Sequence, residues 1–227
     1  VEESSAAQKP FFLYLAYPQP HGPWQAPQAY VQKYQDKGLS IEFATLNGMI
    51  DHLDHNIGRL LDYLEKSGVG KNTVLFFSGD NGPIGEAPIY VDGKYQKKRA
   101  RLTKQESARR SPTGLRGQKG QPWENGVRNN LFVKWPAALM PGTVDVNCHP
   151  VDILPTLMEL AGKADFQVSK PLDGKSLVPL MRGESIDWEN RILIISKAGS
   201  PKTVRENGWA VRDDHEAITR ERIDCTV

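Results

Sequence analysis

The chain has 227 residues, of which 39% are hydrophobic and 25% charged, as in a globular protein with a sizeable core. Its formal net charge is +2, so a strong electrostatic attraction would have to come from a local cluster of charges. The two cysteines, Cys148 and Cys225, are too few for a disulfide framework, and no apolar run is long enough to cross a membrane. Because a polar stretch beginning at Val1 takes the place of a signal segment, we expect this sequence to be part of a longer chain.

Apolar periodicity predicts a strand, a long helix and a second strand in the first eighty residues. Pro10–Tyr17 (PFFLYLAY) is a nearly continuous apolar run, as expected for a buried strand of a parallel sheet. A helix begins after Ser40 and ends near Gly68, with one apolar face. That face consists of Leu46, Ile50, Leu53, Ile57, Leu60 and Leu64. Thr73–Phe77 (TVLFF) is the second buried strand, and this order predicts an α/β fold with a parallel sheet.

The rest of the chain gives weaker structural signals. Residues 83–114 fit neither the helical nor the strand period, and no element is predicted there. Three further elements are predicted, namely a strand, a helix with Pro155 in its first turn, and a last apolar run: Leu131–Trp135, Val151–Ala161 and Ile192–Ile195. The tail from Ser196 is predicted to be polar and irregular, apart from one strand at Trp209–Arg212.

Polar residues follow both of the first two predicted strands. His21 lies in a proline-rich loop after the first strand, and Asp80 and Asn81 come directly after the second. Ligands of parallel sheets gather beyond the carboxyl ends of the strands, which indicates a shared site. A carboxylate and an amide oxygen suit Ca²⁺ or Mg²⁺, although two oxygens cannot complete the coordination shell. Taken singly, Asp-Asn-Gly is also ordinary turn sequence, and a loop histidine is commonly just solvated.

Two basic features could bind anions. Lys119 lies between Gly117 and Gly120, which let the backbone approach a phosphate or sulfate group, although a mobile basic loop would look the same. The segment from Lys94 to Arg110 has eight basic residues against one acid, and could attract a polyanion such as a sulfated polysaccharide or be a solvated loop. Nucleic acid is not expected as a partner, since few aromatic residues could stack on bases. His52 and His55 are three residues apart on the long helix, and we expect them on its solvated side.

Four blocks, in order, resemble the type I sulfatases of the alkaline-phosphatase superfamily. They are Pro10–Pro27, Asn47–Pro83, Leu115–Pro136 (LRGQKGQPWENGVRNNLFVKWP) and Val151–Gly183, the last with an Asp-Gly-x-Ser-Leu segment. The resemblance implies a partial alkaline-phosphatase-like α/β fold with a mostly parallel sheet flanked by helices. It implies that residues 1–190 are the C-terminal portion of the catalytic domain and that residues 191–227 begin a small subdomain.

The resemblance also implies roles for matching residues. Asp80 and Asn81 would be ligands of a divalent cation, usually Ca²⁺, with Mg²⁺ as an option. His21 would contact the sulfate ester and help protonate the leaving oxygen, and Lys119 would bind the sulfate oxygens. The family's nucleophile is a formylglycine made from Cys or Ser in an upstream motif, which is absent here along with an acidic metal-binding pair. We expect both before Val1, and the chain alone to be inactive.

The implied reaction is hydrolysis of a sulfate ester, of a sulfated carbohydrate or an aryl sulfate. Two alternatives stay open at this point: a phosphate-ester or phosphonate hydrolase of the same superfamily, and a non-catalytic polyanion-binding protein. Asn125 and the Asn129–Asn130 pair depart from the family pattern, which often has Gly or Val-Pro there. Cys148-His149-Pro150 partly imitates the nucleophile motif, but Asp152 stands in its arginine position and we interpret the match as coincidence. An extracytoplasmic location is implied by the resemblance alone, and the oligomeric state is left open.

Overall fold

A computed structural model of the chain describes residues 1–121, 123–165, 168–184 and 188, and the backbone of four strands between 193 and 222. The fold is α/β, and it divides into two compact units. The first unit comprises Val1–Thr73 and Pro83–Gly114, and the second comprises Val74–Gly82 and Leu115–Val227. The subdomain boundary expected near residue 191 stays a prediction.

The described elements are as follows. In chain order the helices are α1 (Glu2–Ala6), α2 (Gln28–Gln35), α3 (Ile41–Lys66), α4 (Lys104–Arg110), α5 (Glu124–Val127), α6 (Ile153–Leu160) and α7 (Val178–Met181). The strands are β1 (Leu75–Ser78), β2 (Glu86–Val91), β3 (Lys94–Arg101), β4 (Leu131–Lys134), β5 (Leu193–Ile195), β6 (Lys202–Glu206), β7 (Trp209–Asp213) and β8 (Ile218–Arg222). Short 3-10 helices lie at Val69–Asn72 and Pro150–Asp152.

The predicted long helix is confirmed as α3. The Ser40 side chain accepts a hydrogen bond from the Phe43 N–H at 3.2 Å, which satisfies one of the free donors at the helix start. After the helix ends, Gly68 takes a φ of 76°, a left-handed conformation that glycine adopts without strain. Both ends of the helix therefore follow from local sequence.

The prediction of no element in residues 83–114 was wrong, because β2 and β3 form an antiparallel hairpin followed by α4. The two residues between the strands, Asp92 and Gly93, have φ angles of 49° and 70°. Two successive positive φ angles define the turn that Asp-Gly favours in two-residue hairpins. Thr103 and Glu106 then form a reciprocal capping box at the start of α4.

The core of the first unit joins helix α3 to this hairpin. It is formed by Trp24, Phe43, Leu46, Met49, Ala87, Ile89, Ala100 and Leu102. The helical stripe predicted from the sequence was only partly right: Leu46 and Leu64 are buried, whereas Ile50 is 42% exposed. The unpredicted hairpin lies over a neighbouring face of α3, and it buries Phe43 and Met49 there.

The strand predicted at Pro10–Tyr17 is absent, and this segment has no regular structure. Phe12 and Tyr14 are 76% and 79% exposed, and no described strand pairs with the segment. An apolar run supplies only strand propensity, whereas a strand also needs a neighbour to accept and donate its backbone hydrogen bonds. The expectation that this strand and the next form a parallel βαβ unit is therefore not met in the described residues.

In the second unit, β1 and β4 form an antiparallel pair in which Phe76 lies opposite Val133. The predicted strands at Thr73–Phe77 and Leu131–Trp135 are both present with slightly different bounds. Parallel pairing among the described residues is limited to the isolated bridge between Trp24 and Ile89. The strand β1 is also less buried than predicted, with Phe77 40% exposed.

A buried hydrogen-bond network fastens helix α6 to the segment that leads into α7. The Asp152 carboxylate is fully buried and accepts hydrogen bonds from the backbone N–H groups of His149, at 2.7 Å, and Lys175, at 2.9 Å. The Thr156 hydroxyl donates to the Asp152 carbonyl at 2.6 Å and accepts from the Leu177 N–H at 2.8 Å. Pro155 lies in the first turn of α6, as predicted.

The tail contains more regular structure than the sequence indicated. Strands β5 to β8 form one antiparallel sheet in sequential order. Strands at Ile192–Ile195 and Trp209–Arg212 were expected, but β6 and β8 were predicted to be irregular. Their sequences, KTVRE and ITRER, have few apolar residues, and antiparallel sheets that face solvent on one side tolerate such strands.

Candidate functional site

The predicted metal-binding residues lie in a polar turn that follows β1. Asp80 is exposed and Asn81 is half-buried. The Asn81 side-chain nitrogen donates to the Gly82 carbonyl at 2.9 Å. This hydrogen bond orients the amide group, and the side-chain oxygen lies on the side of the amide away from Gly82. At the start of the turn the Ser78 hydroxyl donates to the Asn130 carbonyl at 3.0 Å, which connects the turn to the segment before β4.

Gly82 fastens this turn to helix α5. Its N–H donates to the Gly126 carbonyl at 3.0 Å. A Cβ atom at position 82 would lie 1.8 Å from the Asn125 carbonyl oxygen, a distance that no side chain can occupy. The glycine of Asp-Asn-Gly is therefore required by close approach of two backbones, which a turn preference alone would not demand.

Lys119 lies at a central position of a tight turn. The Gln121 N–H donates to the Gln118 carbonyl at 3.0 Å, so Lys119 and Gly120 are the two middle residues. Gly120 has a φ of 82°, the positive value that a type II turn needs at its third position. The Gln121 side chain also accepts from the Gln118 N–H at 3.1 Å. Lys119 is half-buried in this hydrogen-bonded turn, which favours an ordered loop over the alternative of a mobile one.

Helix α5 and the residue before it, Trp123, contact the residues of the Lys119 turn and those that precede it. Asn125 donates through its backbone N–H to the Arg116 carbonyl and through its side-chain nitrogen to the Gly117 carbonyl, each at 2.9 Å. A Cβ atom on Gly126 would lie 2.2 Å from the Gln121 carbonyl oxygen, so the turn rests directly on this glycine. The Arg116 guanidinium stacks over the Trp123 ring, 3.4 Å from its centroid.

The two candidate segments of the second unit therefore meet at one short helix. Asn125 and Gly126 contact the turn of Asp80 on one side and the turn of Lys119 on the other. Neither residue was proposed as functional from the sequence. Gly126 offered a signal for close backbone approach, but the partners of both residues are distant in sequence and could not be identified.

His21, the third candidate, lies in the first unit and is exposed. The backbone N–H of His21 donates to the Pro18 carbonyl at 2.8 Å, and this hydrogen bond closes a turn. The ring nitrogen Nδ1 lies 2.6 Å from the Gly22 carbonyl oxygen, and because a carbonyl only accepts, Nδ1 must bear the hydrogen. The other ring nitrogen, Nε2, is therefore the atom that a substrate would meet.

The hairpin holds the His21 loop in place. Trp24 is fully buried, its N–H donates to the Pro88 carbonyl at 2.7 Å, and its carbonyl accepts from the Tyr90 N–H at 2.9 Å. Just before it, a Cβ atom on Gly22 would lie 2.7 Å from the Ala87 Cβ. The segment for which no structure was predicted is thus the support of a predicted site residue.

Several basic side chains of the segment from Lys94 to Arg110 have acidic or carbonyl partners within the first unit. Lys97 forms a salt bridge with Glu42 at 2.8 Å. Glu86 pairs with both Arg99 and Arg101 at 2.6 Å, and the hydrogen bond from Arg99 holds the pKa of Glu86 below its usual range. The Arg110 side chain donates to the Ile84 carbonyl, and burial lowers the pKa of this arginine.

The oxygen ligands that could hold a cation are Asp80 and Asn81. Among the described residues there is no group of three or more His, Cys, Asp or Glu side chains arranged for a metal ion. A carboxylate and an amide oxygen fit a hard cation such as Ca²⁺, which would need further oxygen ligands to complete its shell. His52, expected to be solvated, is half-buried with its ring 5.0 Å from that of Tyr30, whereas His55 is exposed as predicted.

The comparisons with known proteins show the family. The family model described as Sulfatase matches residues 1–163, and the chain belongs to this family. The steryl-sulfatase of Mus musculus is 29% identical over 212 residues, which cover 89% of this chain and 30% of that protein. Arylsulfatase A of Homo sapiens is 29% identical over 185 residues, covering 80% of this chain and 30% of that protein. The chain thus spans about 30% of the length of these curated relatives.

Solved structures confirm an alkaline-phosphatase-like fold. A crystal structure of Ps i-CgsB in complex with k-i-k-neocarrahexaose has a TM-score of 0.75 and 23% identity, covering 97% of this chain and 45% of that chain. The structure of BT4656 in complex with its substrate D-glucosamine-2-N,6-O-disulfate has a TM-score of 0.50 and 20% identity, covering 87% of this chain and 39% of that chain. Within the described part of the chain, no helix combines the length and apolar character that a membrane span requires.

Proposed function

We propose that the full-length protein containing this chain hydrolyses a sulfate ester. The observation behind the proposal is the shared attachment of the Asp80 turn and the Lys119 turn to Asn125 and Gly126, in a chain of the sulfatase family. The turns that carry two potential oxygen ligands and an ammonium group are thereby attached to one short helix. Charged groups fixed in this way can stabilise charge that develops on a small anion, because they do not have to reorient during the reaction.

Lys119 binds the sulfate oxygens in this proposal. Its backbone is fixed by the turn of Gln118 to Gln121, and the glycines on either side allow an anion to approach closely. An ammonium group placed beside the transferring group is stabilising to the extent that negative charge increases on the sulfate oxygens. The interaction is thus stronger in the transition state than in the ground state.

Asp80 and Asn81 hold a divalent cation, which we propose to be Ca²⁺. Their oxygens are hard donors, and Ca²⁺ accepts the larger and more flexible coordination shell that ligands from several segments provide. When bound, the cation supplies positive charge that polarises a sulfate oxygen. The hydrogen bond from the Asn81 amide nitrogen to Gly82 keeps the amide oxygen on a single side.

His21 acts as the proton donor to the leaving oxygen in the same proposal. Because Nδ1–H is committed to the Gly22 carbonyl, the proton must leave from Nε2 of the charged ring. The loop holds this orientation through the buried Trp24 and its two backbone hydrogen bonds to the hairpin.

The proposed substrate is a sulfated carbohydrate, with aryl sulfates as test substrates. The support comes from family membership and from a fold neighbour whose described substrate is a disulfated glucosamine. The substrate of this protein has to be determined by assay against a panel of sulfated sugars.

The test is steady-state hydrolysis of an aryl sulfate by the full-length protein. Lys119→Ala and Asp80→Ala should each lower kcat/KM by about 100-fold or more, the effect typical of losing one electrostatic contact to a transition state. Lys163→Ala, at an exposed lysine after α6, is the matched control and should leave kcat/KM unchanged.

Other outcomes have defined meanings. Unchanged turnover in Lys119→Ala would remove this residue from the site. Faster hydrolysis of an aryl phosphate than of the matching aryl sulfate would overturn the sulfate assignment and favour the phosphate-ester alternative. Chelation of divalent cations should reduce turnover of the wild type, and Asp80→Ala should then require more Ca²⁺ for half-maximal activity.

A further inference from the structure

Asn125 makes contacts in the second unit that a glycine at this position could not make. Its side-chain nitrogen donates to the Gly117 carbonyl at 2.9 Å, in addition to the backbone bond from its own N–H to Arg116. The side-chain bond is therefore an additional attachment that depends on the asparagine.

The position of this bond in the loop determines what it can do. Gly117 has a φ of 97° and immediately precedes the turn that presents Lys119. A Cβ atom at Gly117 would lie 2.4 Å from the Trp123 Cβ, so the chain passes closely between the tryptophan and the asparagine. Because the Asn125 side chain binds the Gly117 carbonyl, the peptide group between Gly117 and Gln118, which leads into the turn, is held in one orientation.

The backbone of Asn125 connects the same attachment to the metal-binding turn. Its carbonyl oxygen lies against Gly82, closer than any side chain would permit. The residue therefore contacts the Lys119 loop with its side chain and the Asp80 turn with its main chain. A change in the side chain removes only the first of these contacts.

From these contacts we infer that Asn125 is a positioning residue, which acts through Lys119 by fixing the entry to its turn. This inference rests on the proposed role of Lys119 in binding sulfate. Loss of the side-chain bond leaves the fold of α5 intact, since its backbone bonds remain, but lets the ammonium group occupy a wider range of positions. A displacement of about 1 Å in a catalytic contact is enough to cost roughly 100-fold in rate.

The experiment is a double-mutant cycle in the full-length protein with Asn125→Ala, Lys119→Ala and the double variant. Asn125→Ala should lower kcat/KM for an aryl sulfate by about 10- to 100-fold in the wild-type background. In the Lys119→Ala background the same change should cost less than about 2-fold, since residues that act through one another are not additive.

A second readout does not depend on turnover. Inorganic sulfate should protect Lys119 from reductive methylation, measured by mass spectrometry, and Asn125→Ala should raise the sulfate concentration needed for half-protection. Asn125→Asp replaces the donor by an acceptor facing a carbonyl. Its turnover relative to wild type should recover as the pH falls and the carboxyl regains a proton to donate.

Asn47→Ala is the matched control, because Asn47 is half-buried and donates through its side-chain nitrogen to the Phe43 carbonyl at 2.7 Å. It should leave kcat/KM and the protection of Lys119 unchanged. An equal loss from Asn125→Ala in both backgrounds would show a general effect on the fold and overturn the inference. A normal turnover in Lys119→Ala would instead remove the proposed role of Lys119, and the inference with it.

Discussion

Thr156 and Thr45 are two fully buried threonines whose hydroxyl groups have different partners. The Thr156 hydroxyl accepts from the N–H of Leu177 in a distant segment, at 2.8 Å. The Thr45 hydroxyl only donates to the Ile41 carbonyl of its own helix, at 2.7 Å. Thr156→Val should therefore reduce the free energy of unfolding by about 1–3 kcal/mol, since it leaves a buried N–H without a partner.

Thr45→Val is the matched control for this prediction. Its loss should stay within about 1 kcal/mol, because the Ile41 carbonyl is also available to the helix backbone. Chemical denaturation of both variants, with the midpoint and slope recorded, measures the difference. Equal decreases in the free energy of unfolding would mean that the hydrogen bond from the Leu177 N–H to Thr156 adds no measurable stability.

Single residues differ in how far the sequence alone determines their role. The cap at Ser40 and the turn at Gly68 were predictable because their partners lie within a few residues. The contacts of Gly82 and Asn125 were not, because their partners are separated from them by tens of residues. His21, Asp80, Asn81 and Lys119 were proposed from residue type and family resemblance, and their roles in catalysis stay predictions.

At the scale of elements, the hairpin shows why residues 83–114 gave no signal. Two register shifts interrupt the pairing of β2 and β3, and they disturb the alternation of apolar and polar residues that marks a strand. Most residues of β3 are also exposed and charged. The Asp92–Gly93 dipeptide was the one available signal for a two-residue turn.

Acid should weaken this hairpin through Glu86. Its pKa is lowered in the folded protein by hydrogen bonds from Arg99 and Arg101, so the pair contributes stability above the ordinary carboxyl pKa. That contribution is lost as the pH falls through the lowered pKa of the folded state. Glu86→Gln should therefore lower the thermal unfolding temperature near neutral pH but show a smaller further decrease in acid.

Glu65→Gln, at an exposed glutamate near the end of α3, serves as the comparison. Thermal unfolding followed by circular dichroism from neutral to acidic pH would separate the two variants. Parallel curves for Glu86→Gln and the wild type would show that the paired arginines do not stabilise the folded state.

At the scale of the whole molecule, the alternative of a non-catalytic polyanion-binding protein has a specific weakness. The net charge is small, and Lys97, Arg99 and Arg101 are engaged in salt bridges with acids of the first unit. Lys94, Lys98 and Lys104 are exposed and would have to supply much of the attraction. Scattered exposed charges of this kind are screened over about 8 Å at physiological salt.

Chromatography on an immobilised sulfated polysaccharide distinguishes these two functions. The full-length protein should elute by about 0.15 M salt, and replacing Lys94, Lys98 and Lys104 by alanine should not change this elution. Any specific retention should disappear with Lys119→Ala. Strong retention that survives Lys119→Ala but is lost on replacing Lys94, Lys98 and Lys104 would support the polyanion-binding alternative.

The α/β class was predicted from the long helix and the strand at Thr73–Phe77, both of which are present, whereas the strand pairing was not predictable. Pro10–Tyr17 has the composition of a buried strand and yet lies exposed, because composition does not specify a neighbour. The antiparallel pairing of β1 with β4 joins segments more than fifty residues apart, which no local periodicity encodes.

The hydrogen bond from the Gly82 N–H to the Gly126 carbonyl joins the two ends of a long excursion of the chain. Once such ends are pinned, each doubling of the enclosed length costs only about 0.6 kcal/mol of closure entropy. Insertions in exposed turns between these glycines are therefore thermodynamically cheap. Natural variation can lengthen the exposed Asp92–Gly93 turn of the hairpin while the pinned ends keep their places, whereas deletions that reach Ala87, Ile89 or Ala100 would remove core packing.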